Sequence, residues 1–186
     1  MFLKKRKNIF TTRYKWKSKW KKELWSWAFT IGGAFLISLV VVTFLFRITI
    51  VSGDSMNDTL MDGDVLFVNE IAYVVGEPNV GDIIICEYPN SDKIYIKRVI
   101  GLPGDTVEIK NNDVYVNGDN TVDKWDSGHT YFENGTYHLG EDEYFVLGDN
   151  RSDSRDSRSV GPLKEDACVG KVGFRIFPIN KFGGID

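Results

Sequence analysis

Cysteine and histidine, which carry much enzyme chemistry, are scarce in this 186-residue chain, with two of each. Cys86 and Cys168 lie in apolar, strand-like stretches and lack the spacing of metal ligands, so two buried thiols or one disulfide bridge are both possible. His129 and His138 lie in a stretch rich in Gly, Asn and Asp, which favours surface positions. The sequence therefore gives no support to a cysteine nucleophile or to a metal site.

Charge is missing from residues 24–46, a run of 23 residues dominated by Ile, Leu, Val, Phe and Ala. As a helix this run would extend roughly 34 Å, enough to cross a hydrocarbon core of about 30 Å. Trp25 and Trp27 stand at its start, where indole rings favour the membrane interface. A buried core helix fits less well, and so does a cleaved secretory signal, because no A-x-A-like site follows. Residues 24–46 are predicted to be a transmembrane anchor.

The net charge of -3 conceals a strong asymmetry along the chain. Residues 1–23 hold ten Lys or Arg and one Glu, a charge of +9, whereas the rest holds 13 Lys or Arg against 25 Asp or Glu, a charge of -12. A basic arm containing Tyr14, Trp16 and Trp20 could bind nucleic acid, but the apolar span that follows favours membrane lipid as the partner, with no nucleic acid. By the positive-inside rule, residues 1–23 form a basic cytoplasmic tail and residues 47–186 lie outside the cytoplasm.

Long helical periodicity, internal repeats and Pro-rich linkers are all missing after the span. Short β-rich runs separated by Gly, Pro, Asn or Asp replace them. These runs are residues 47–51, 65–68, 83–88, 94–100, 107–109, 114–116, 144–147 and 172–177. Residues 111–113, Asn-Asn-Asp, predict a hairpin turn, and residues 117–140 resemble an insertion. Residues 47–186 are therefore predicted to be one mostly β domain.

The first candidate for chemistry is Ser55, in the sequence Val-Ser-Gly-Asp-Ser-Met at residues 51–56. A serine hydroxyl needs a neighbouring base before it can attack a carbonyl. Ser-Gly-Asp alone is only a turn signature, and Asn57 replaces the second glycine of the G-x-S-x-G elbow. Ser55 is a candidate nucleophile that requires a partner.

Two adjacent cations interrupt the apolar strand at residues 94–100. Alternation along a strand puts Lys97 on one face with Tyr95 and Val99, and Arg98 on the other. If the Lys97 face is buried, desolvation lowers the pKa of the amine, and a neutral amine can act as a base. The alternative is a lysine that extends to solvent from an edge strand.

A third polar motif, Gly-Asp-Asn-Arg-Ser-Asp-Ser-Arg-Asp-Ser-Arg, occupies residues 148–158. It could be a solvated loop, whereas a calcium loop is excluded because Arg151 and Ser154 occupy the third and sixth positions from Asp149. We interpret it as a network of ion pairs and hydroxyls that would hold the strands carrying a catalytic pair.

Together these residues resemble the type I signal peptidases, in particular those of Gram-positive bacteria, over nearly the whole chain. The resemblance rests on the order of basic tail, anchor and three motifs, on Ser55-Met56-Asn57-Asp58-Thr59-Leu60, and on Lys97-Arg98-Val99-Ile100-Gly101-Leu102-Pro103-Gly104-Asp105. Asp58 stands where that family usually has proline. The resemblance implies an antiparallel β-sheet catalytic domain that follows one transmembrane helix.

The resemblance also implies an activity, the removal of N-terminal signal peptides from secretory preproteins after small residues at positions -1 and -3, without metal, nucleotide or flavin. It assigns the catalytic pair to Ser55 as nucleophile and Lys97 as general base. The further assignments are a hydrogen bond from Ser154 to the lysine amine, ion pairs Asp149 to Arg98 and Asp156 to Arg158, and Met56 in the substrate cleft.

The oxyanion hole in that family uses the backbone N–H of the nucleophile and, in some members, a hydroxyl two residues earlier. Gly53 occupies that earlier position here, so the second donor stays open. Other interpretations are a non-catalytic homologue that assists surface protein or pilus assembly, a membrane-tethered binding module, and a self-cleaving repressor-type peptidase.

Overall fold

The computed structural model describes residues 9–89, 91, 93–120, 124–126 and 134–185, with the backbone alone for residues 9–18, 43 and 44. His129 and the first eight residues of the basic tail, including the cations at positions 4–7, lie outside the described residues. The chain divides into two units, one ending at Phe44 and one beginning at Leu45.

The first unit is dominated by helix α1, Ile9–Leu45. Within it the 24-residue stretch Lys19–Val42 is long and apolar enough to cross a membrane, and none of it is buried against other described residues. Apolar side chains without a protein cover need another apolar environment, so this helix is compatible with membrane anchoring. The helix ends at Leu45, one residue before the predicted boundary, because Phe46 begins the first strand and stacks on Phe67 with ring centroids 4.8 Å apart.

The second unit is mostly antiparallel β-structure, which confirms the predicted fold class. Its strands are β1 Phe46–Ile50, β2 Val65–Asn69, β3 Ile83–Glu87, β4 Ile94–Gly101, β5 Thr106–Lys110, β6 Asp113–Val116, β7 Gly135–His138, β8 Glu143–Leu147, β9 Leu163–Lys164, β10 Cys168–Phe177 and β11 Gly183–Gly184. Two short α-helices, α2 Ala72–Val75 and α3 Ser157–Val160, and 3-10 turns at Arg151–Asp153, Glu165–Ala167 and Ile179–Lys181 complete it.

The strands form two sheets. The larger sheet has the order β1-β2-β10-β3-β4-β8-β9, with β11 paired to β10, and the smaller has the order β6-β5-β7. Strand β7 and the exposed His138 on it lie inside the region 117–140, so the insertion-like interpretation is wrong for that part. The predicted hairpin joins β5 to β6, with Asn111 and Asn112 at φ 52° and 68° as a tight turn of this kind requires.

Strand β4 lies in the middle of the larger sheet between β3 and β8, and this position buries both of its faces. From Lys97 to Gly101 every residue of β4 is buried, and so is β3 from Ile83 to Cys86. An apolar run without alternation is expected for a strand covered on both sides. The two adjacent cations of β4 are therefore both interior groups.

Cys86 on β3 and Cys168 on β10 are register partners on neighbouring antiparallel strands, yet both are free thiols. Of the two alternatives left open by the sequence, the structure has the buried thiols. Burial raises the pKa of Cys86 to about 12 and that of Cys168 to about 12. Thiolate nucleophilicity is suppressed at both positions.

Candidate active site

Ser55 and Lys97 meet across the larger sheet. Ser55 lies in the loop between β1 and β2, and Lys97 lies on β4, 42 residues later. The Lys97 Nζ atom is 2.8 Å from Ser55 Oγ and donates a second hydrogen bond, of 2.9 Å, to the Ile96 carbonyl. A hydroxyl and an amine at this separation can exchange a proton in either direction.

The surroundings of Lys97 favour the neutral amine. The residue is 2% exposed, which excludes the solvent-reaching lysine considered above. Burial lowers the pKa of Lys97 from its usual value, and nearby Arg158 adds to that effect. The Cys86 thiol and the carboxylates of Asp156 and Asp149 act in the opposite direction. Desolvation is the largest influence, as expected for an ammonium whose immediate partners are a hydroxyl and a carbonyl.

Arg98, on the opposite face of β4, is held by a bidentate ion pair with Asp149. Its Nε and Nη2 atoms lie 2.9 Å and 2.8 Å from the two carboxylate oxygens, and the two side chains are 0% and 1% exposed. Arg98 Nη1 donates to the Gly81 carbonyl at 2.8 Å, and its guanidinium lies 4.6 Å from the centre of the Trp125 ring. Thus the structure forms the first predicted ion pair in a fully buried setting.

The second predicted ion pair, between Asp156 and Arg158, organises the loop of residues 148–158. Arg158 contacts both Asp156 oxygens at 2.6 Å, and Asp156 also accepts from the Gly148 N–H at 3.1 Å. A Cβ atom at Gly148 would overlap Ser154 Oγ and the Ser55 carbonyl oxygen, so this position requires glycine. The backbone at Gly148 therefore lies so close to the Ser55 backbone that no side chain fits between them.

Asn150 connects that loop to the Ser55 loop through two hydrogen bonds. Its backbone N–H donates to the Ser55 carbonyl at 3.1 Å, and its side-chain amide donates to the Asp54 carbonyl, also at 3.1 Å. The network expected from the sequence is present and holds the backbone on which the candidate nucleophile stands.

The hydrogen bond predicted between Ser154 and the Lys97 amine is wrong for this structure. Ser154 Oγ is buried beside Gly148 and has no hydrogen-bond partner among the described residues. The Lys97 amine is directed to Ser55 Oγ and the Ile96 carbonyl, which are closer acceptors. Ser154 therefore contributes packing beside Gly148 in place of the expected hydrogen bond.

The position two residues before Ser55 also differs from the arrangement with a hydroxyl donor. Gly53 has no side-chain donor, and its backbone N–H donates to Asp62 Oδ1 at 2.8 Å. Gly53 thus supplies neither a hydroxyl nor a free N–H for an oxyanion.

A cleft of about 500 Å³ opens beside the Ser55 hydroxyl. Its lining comes from β1 and the Ser55 loop on one side and from β4 and the residue before it on the other: Thr49, Ile50, Val51, Ser52, Gly53, Ser55, Met56, Lys93, Ile94, Tyr95, Ile96 and Lys97. Met56 lies at this cleft, as predicted, although most of its side chain packs into the core. Within the described ranges no group of three or more His, Cys, Asp or Glu side chains is placed to hold a metal ion.

Sequence reasoning missed several side chains that fix the Ser55 loop. Thr59 donates to Asp149 through Oγ1 at 2.5 Å, and its carbonyl accepts from Arg175 on β10. Arg175 also pairs with the buried Asp64, Nε to Oδ2 3.0 Å. A signal existed for Arg175, because it is the one cation in the otherwise apolar run of residues 172–177, but its partner lies far away in sequence.

Comparison with known proteins gives a consistent result. The family model described as signal peptidase, peptidase S26, matches residues 24–177. Signal peptidase IB of Staphylococcus aureus is 37% identical over 180 residues, covering 87% of this chain and 94% of the relative. Signal peptidase I P of Bacillus subtilis subsp. natto is 37% identical over 175 residues, covering 87% of this chain and 93% of the relative. A crystal structure of a signal peptidase I from Enterococcus faecalis V583 is 32% identical and covers 52% of this chain and 97% of its own, with a TM-score of 0.46.

The antiparallel β domain and the contact between a serine hydroxyl and a buried lysine amine are compatible with a serine peptidase. The chain belongs to the signal peptidase, peptidase S26, family. This confirms the family predicted from the three motifs, and with it the predicted signal peptidase activity.

Proposed function

We propose that this chain is a membrane-bound endopeptidase that removes signal peptides from secretory preproteins, with Ser55 as nucleophile and Lys97 as general base. The proposal rests on one observation, the 2.8 Å contact between the Ser55 hydroxyl and a lysine amine that is 2% exposed. A non-catalytic homologue would have no use for this buried amine beside a cleft.

Catalysis begins when Ser55 Oγ attacks the scissile carbonyl and its proton passes to the neutral Lys97 amine. The resulting ammonium then protonates the nitrogen of the leaving peptide, and an acyl-enzyme ester remains on Ser55. Lys97, neutral again, takes a proton from the water that attacks the ester, and the resulting ammonium gives its proton to the departing Ser55 Oγ, which releases the acid and restores the hydroxyl. The amine thus acts as base and then as acid in each half of the reaction, and its lowered pKa favours the neutral form that each half begins with.

The tetrahedral intermediates need donors for their oxyanion, and the backbone N–H of Ser55 is assigned to this role. Gly53 does not supply the second donor, because its N–H is engaged by Asp62. A second donor therefore has to come from elsewhere in the cleft or from water. Losing one such donor can cost about 100-fold in rate, so this question matters for the catalytic efficiency.

The cleft suits an extended peptide because strand edges border it on both sides. Strand β1 pairs only with β2, and residues 94–97 of β4 pair only with β3, within the described part of the chain. A substrate strand between these edges would gain backbone hydrogen bonds on its way to Ser55. Small side chains at positions -1 and -3 would face the walls formed by residues such as Ile50, Met56 and Tyr95.

The basic residues before the span support an orientation with residues 1–23 in the cytoplasm and residues 47–186 outside. In this arrangement enzyme and membrane-held substrate share one surface, which raises their effective concentration. A tag at the carboxyl end that an external protease removes from intact spheroplasts would support the orientation, whereas a protected tag would contradict it.

Cleavage of a purified preprotein by the full chain in detergent tests the catalytic assignment. Ser55→Ala and Lys97→Ala should each abolish cleavage with near-wild-type near-UV circular dichroism, and Lys97→Arg should fail because a guanidinium stays protonated. Lys110→Ala, which removes an exposed lysine from the smaller sheet, is the matched control and should cleave normally. Cleavage by Ser55→Ala or Lys97→Ala at the wild-type rate would overturn the proposal.

A further inference from the structure

Two buried ion pairs lie on opposite sides of the Ser55 loop, and neither contains a proposed catalytic residue. Arg98 and Asp149 join β4 to the loop after β8, with side chains 0% and 1% exposed. Arg175 and Asp64 join β10 to the end of the Ser55 loop, with side chains 10% and 4% exposed. Charges this deeply buried require fixed partners, so each ion pair holds the two elements that it joins in a fixed relative position.

Thr59 binds both pairs at once. Its Oγ1 donates to Asp149 Oδ2 at 2.5 Å, and its carbonyl accepts a hydrogen bond from Arg175 Nη2. One residue of the Ser55 loop therefore uses its side chain to reach one ion pair and its backbone to reach the other. Backbone hydrogen bonds within the loop include Val51 N–H to the Asp64 carbonyl, 2.9 Å, and Leu60 N–H to the Met56 carbonyl, 2.8 Å.

We propose that Thr59 is a positioning residue that sets the distance between the Ser55 hydroxyl and the Lys97 amine. The inference rests on the proposed function, since it assumes that this pair performs the reaction.

The geometry explains why a contact four residues from Ser55 acts on the reacting atoms. Asp149, which Thr59 holds, is bound to Arg98, and Arg98 is the neighbour of Lys97 on β4. Thr59 thus connects the loop that carries the nucleophile to the strand that carries the base. Met56 and Leu60, both buried, flank Thr59 and anchor the turn between them in the core.

Thr59→Val removes the hydroxyl while it keeps the shape of the side chain, and Thr59→Ser restores the hydroxyl. A misplacement of about 1 Å can cost about 100-fold in rate, so loss of one of the two contacts of Thr59 should lower kcat about 10-fold or more. KM should change less than kcat, because the cleft walls formed by β1 and β4 keep their places. Thr59→Ser should recover most of the lost kcat.

The pH dependence separates positioning from simple loss of stability. A loosened Ser55 loop admits water to Lys97, so the acidic limb of the kcat profile should move to higher pH in Thr59→Val. Val114→Ala, a cavity variant in the smaller sheet, provides a destabilised control with a similar loss of melting temperature and no shift of the profile. Arg175→Lys, which keeps the charge but loses the fork that reaches Thr59, should lower kcat in the same way.

The closing experiment measures kcat, KM and the pH profile of preprotein cleavage for full-length Thr59→Val, Thr59→Ser, Arg175→Lys and Val114→Ala in detergent. A selective fall in kcat with the shifted limb, rescued by Thr59→Ser, supports the proposal. Wild-type kcat in Thr59→Val, or an equal loss and shift in Val114→Ala, overturns it. Ser55→Ala in the same assay keeps the two questions apart, because activity there would refute the catalytic pair itself.

Discussion

Removal of the charge of Asp149 should destabilise the β domain far more than removal of a surface charge. Asp149→Asn keeps the size of the side chain but leaves the guanidinium of Arg98, 0% exposed, without a carboxylate. Breaking a buried pair by neutralising one partner costs about 3–5 kcal/mol, because an uncompensated charge stays buried. For a domain of this size, that loss corresponds to a fall in Tm of about 10–20 °C.

The assay is thermal unfolding of the full chain in detergent micelles, followed by near-UV circular dichroism, which reports the packed β domain. Asp142→Asn is the matched control, because Asp142 pairs with Lys164 at 2.7 Å but both side chains are more than half exposed. Exposed ion pairs of this kind contribute little to the free energy of unfolding, so Asp142→Asn should have the same Tm as the wild type. Equal melting temperatures for Asp149→Asn and Asp142→Asn would refute the argument that burial makes the pair indispensable.

A double variant sharpens the same prediction. Arg98→Met combined with Asp149→Leu removes both charges, and replacement of a buried pair by apolar residues is often neutral or stabilising. This double variant should therefore recover much of the Tm lost in Asp149→Asn. It should not recover cleavage, since the contact that Thr59 makes with the carboxylate would be lost.

Three further predictions concern the larger sheet and the loop that follows β8. Because burial lowers the pKa of Lys97, this side chain binds more protons in the unfolded chain than in the folded chain between its lowered pKa and about pH 10.4, so its contribution to stability rises with pH across that window. Lys97→Met removes this dependence, and its gain in Tm over the wild type should be largest in acid and shrink towards pH 10; a gain that grew with pH would contradict the reasoning. Cys86 and Cys168, whose pKa values burial raises to about 12, should resist a thiol reagent at pH 8 until the chain is unfolded, as mass spectrometry would show. Gly148→Ala should abolish preprotein cleavage, because the new methyl group would collide with Ser154 and the Ser55 carbonyl; normal cleavage would show that the loop can retreat.

The sequence predicted the parts of the fold that depend on local pattern. Alternating and apolar runs gave eight of the strands to within a few residues, and the Asn-Asn-Asp stretch gave the β5–β6 turn. Strand β7 was missed because Gly135–His138 is short and lies among turn-forming residues. The pairing of β10 with β2 and β3 was also beyond sequence reasoning, since partners far apart in the chain leave no local signal.

In the candidate site, too, the features carried by local motifs were predicted and the contacts between distant residues were not. Ser55, Lys97 and the two ion pairs came from short motifs, and alternation placed Lys97 and Arg98 on opposite faces correctly. The hydrogen bond predicted from Ser154 to the Lys97 amine is absent from the structure, because the direction of that amine depends on packing that no motif encodes. Arg175 and Asp64 were missed because their contact joins positions more than a hundred residues apart.

The two cations of β4 show why a lysine, and not an arginine, suits the position next to the proposed nucleophile. Both side chains leave water entirely, and burial penalises the charge of each. Arg98 cannot lose its proton, so the fold has to provide a full carboxylate, a carbonyl and an aromatic face to hold it. Lys97 receives only a hydroxyl and a carbonyl, and it can meet the same penalty by giving up its proton. Burial without a direct carboxylate partner therefore favours the neutral form of this lysine, which the proposed role as base requires, whereas the same burial on the opposite face produces a structural ion pair.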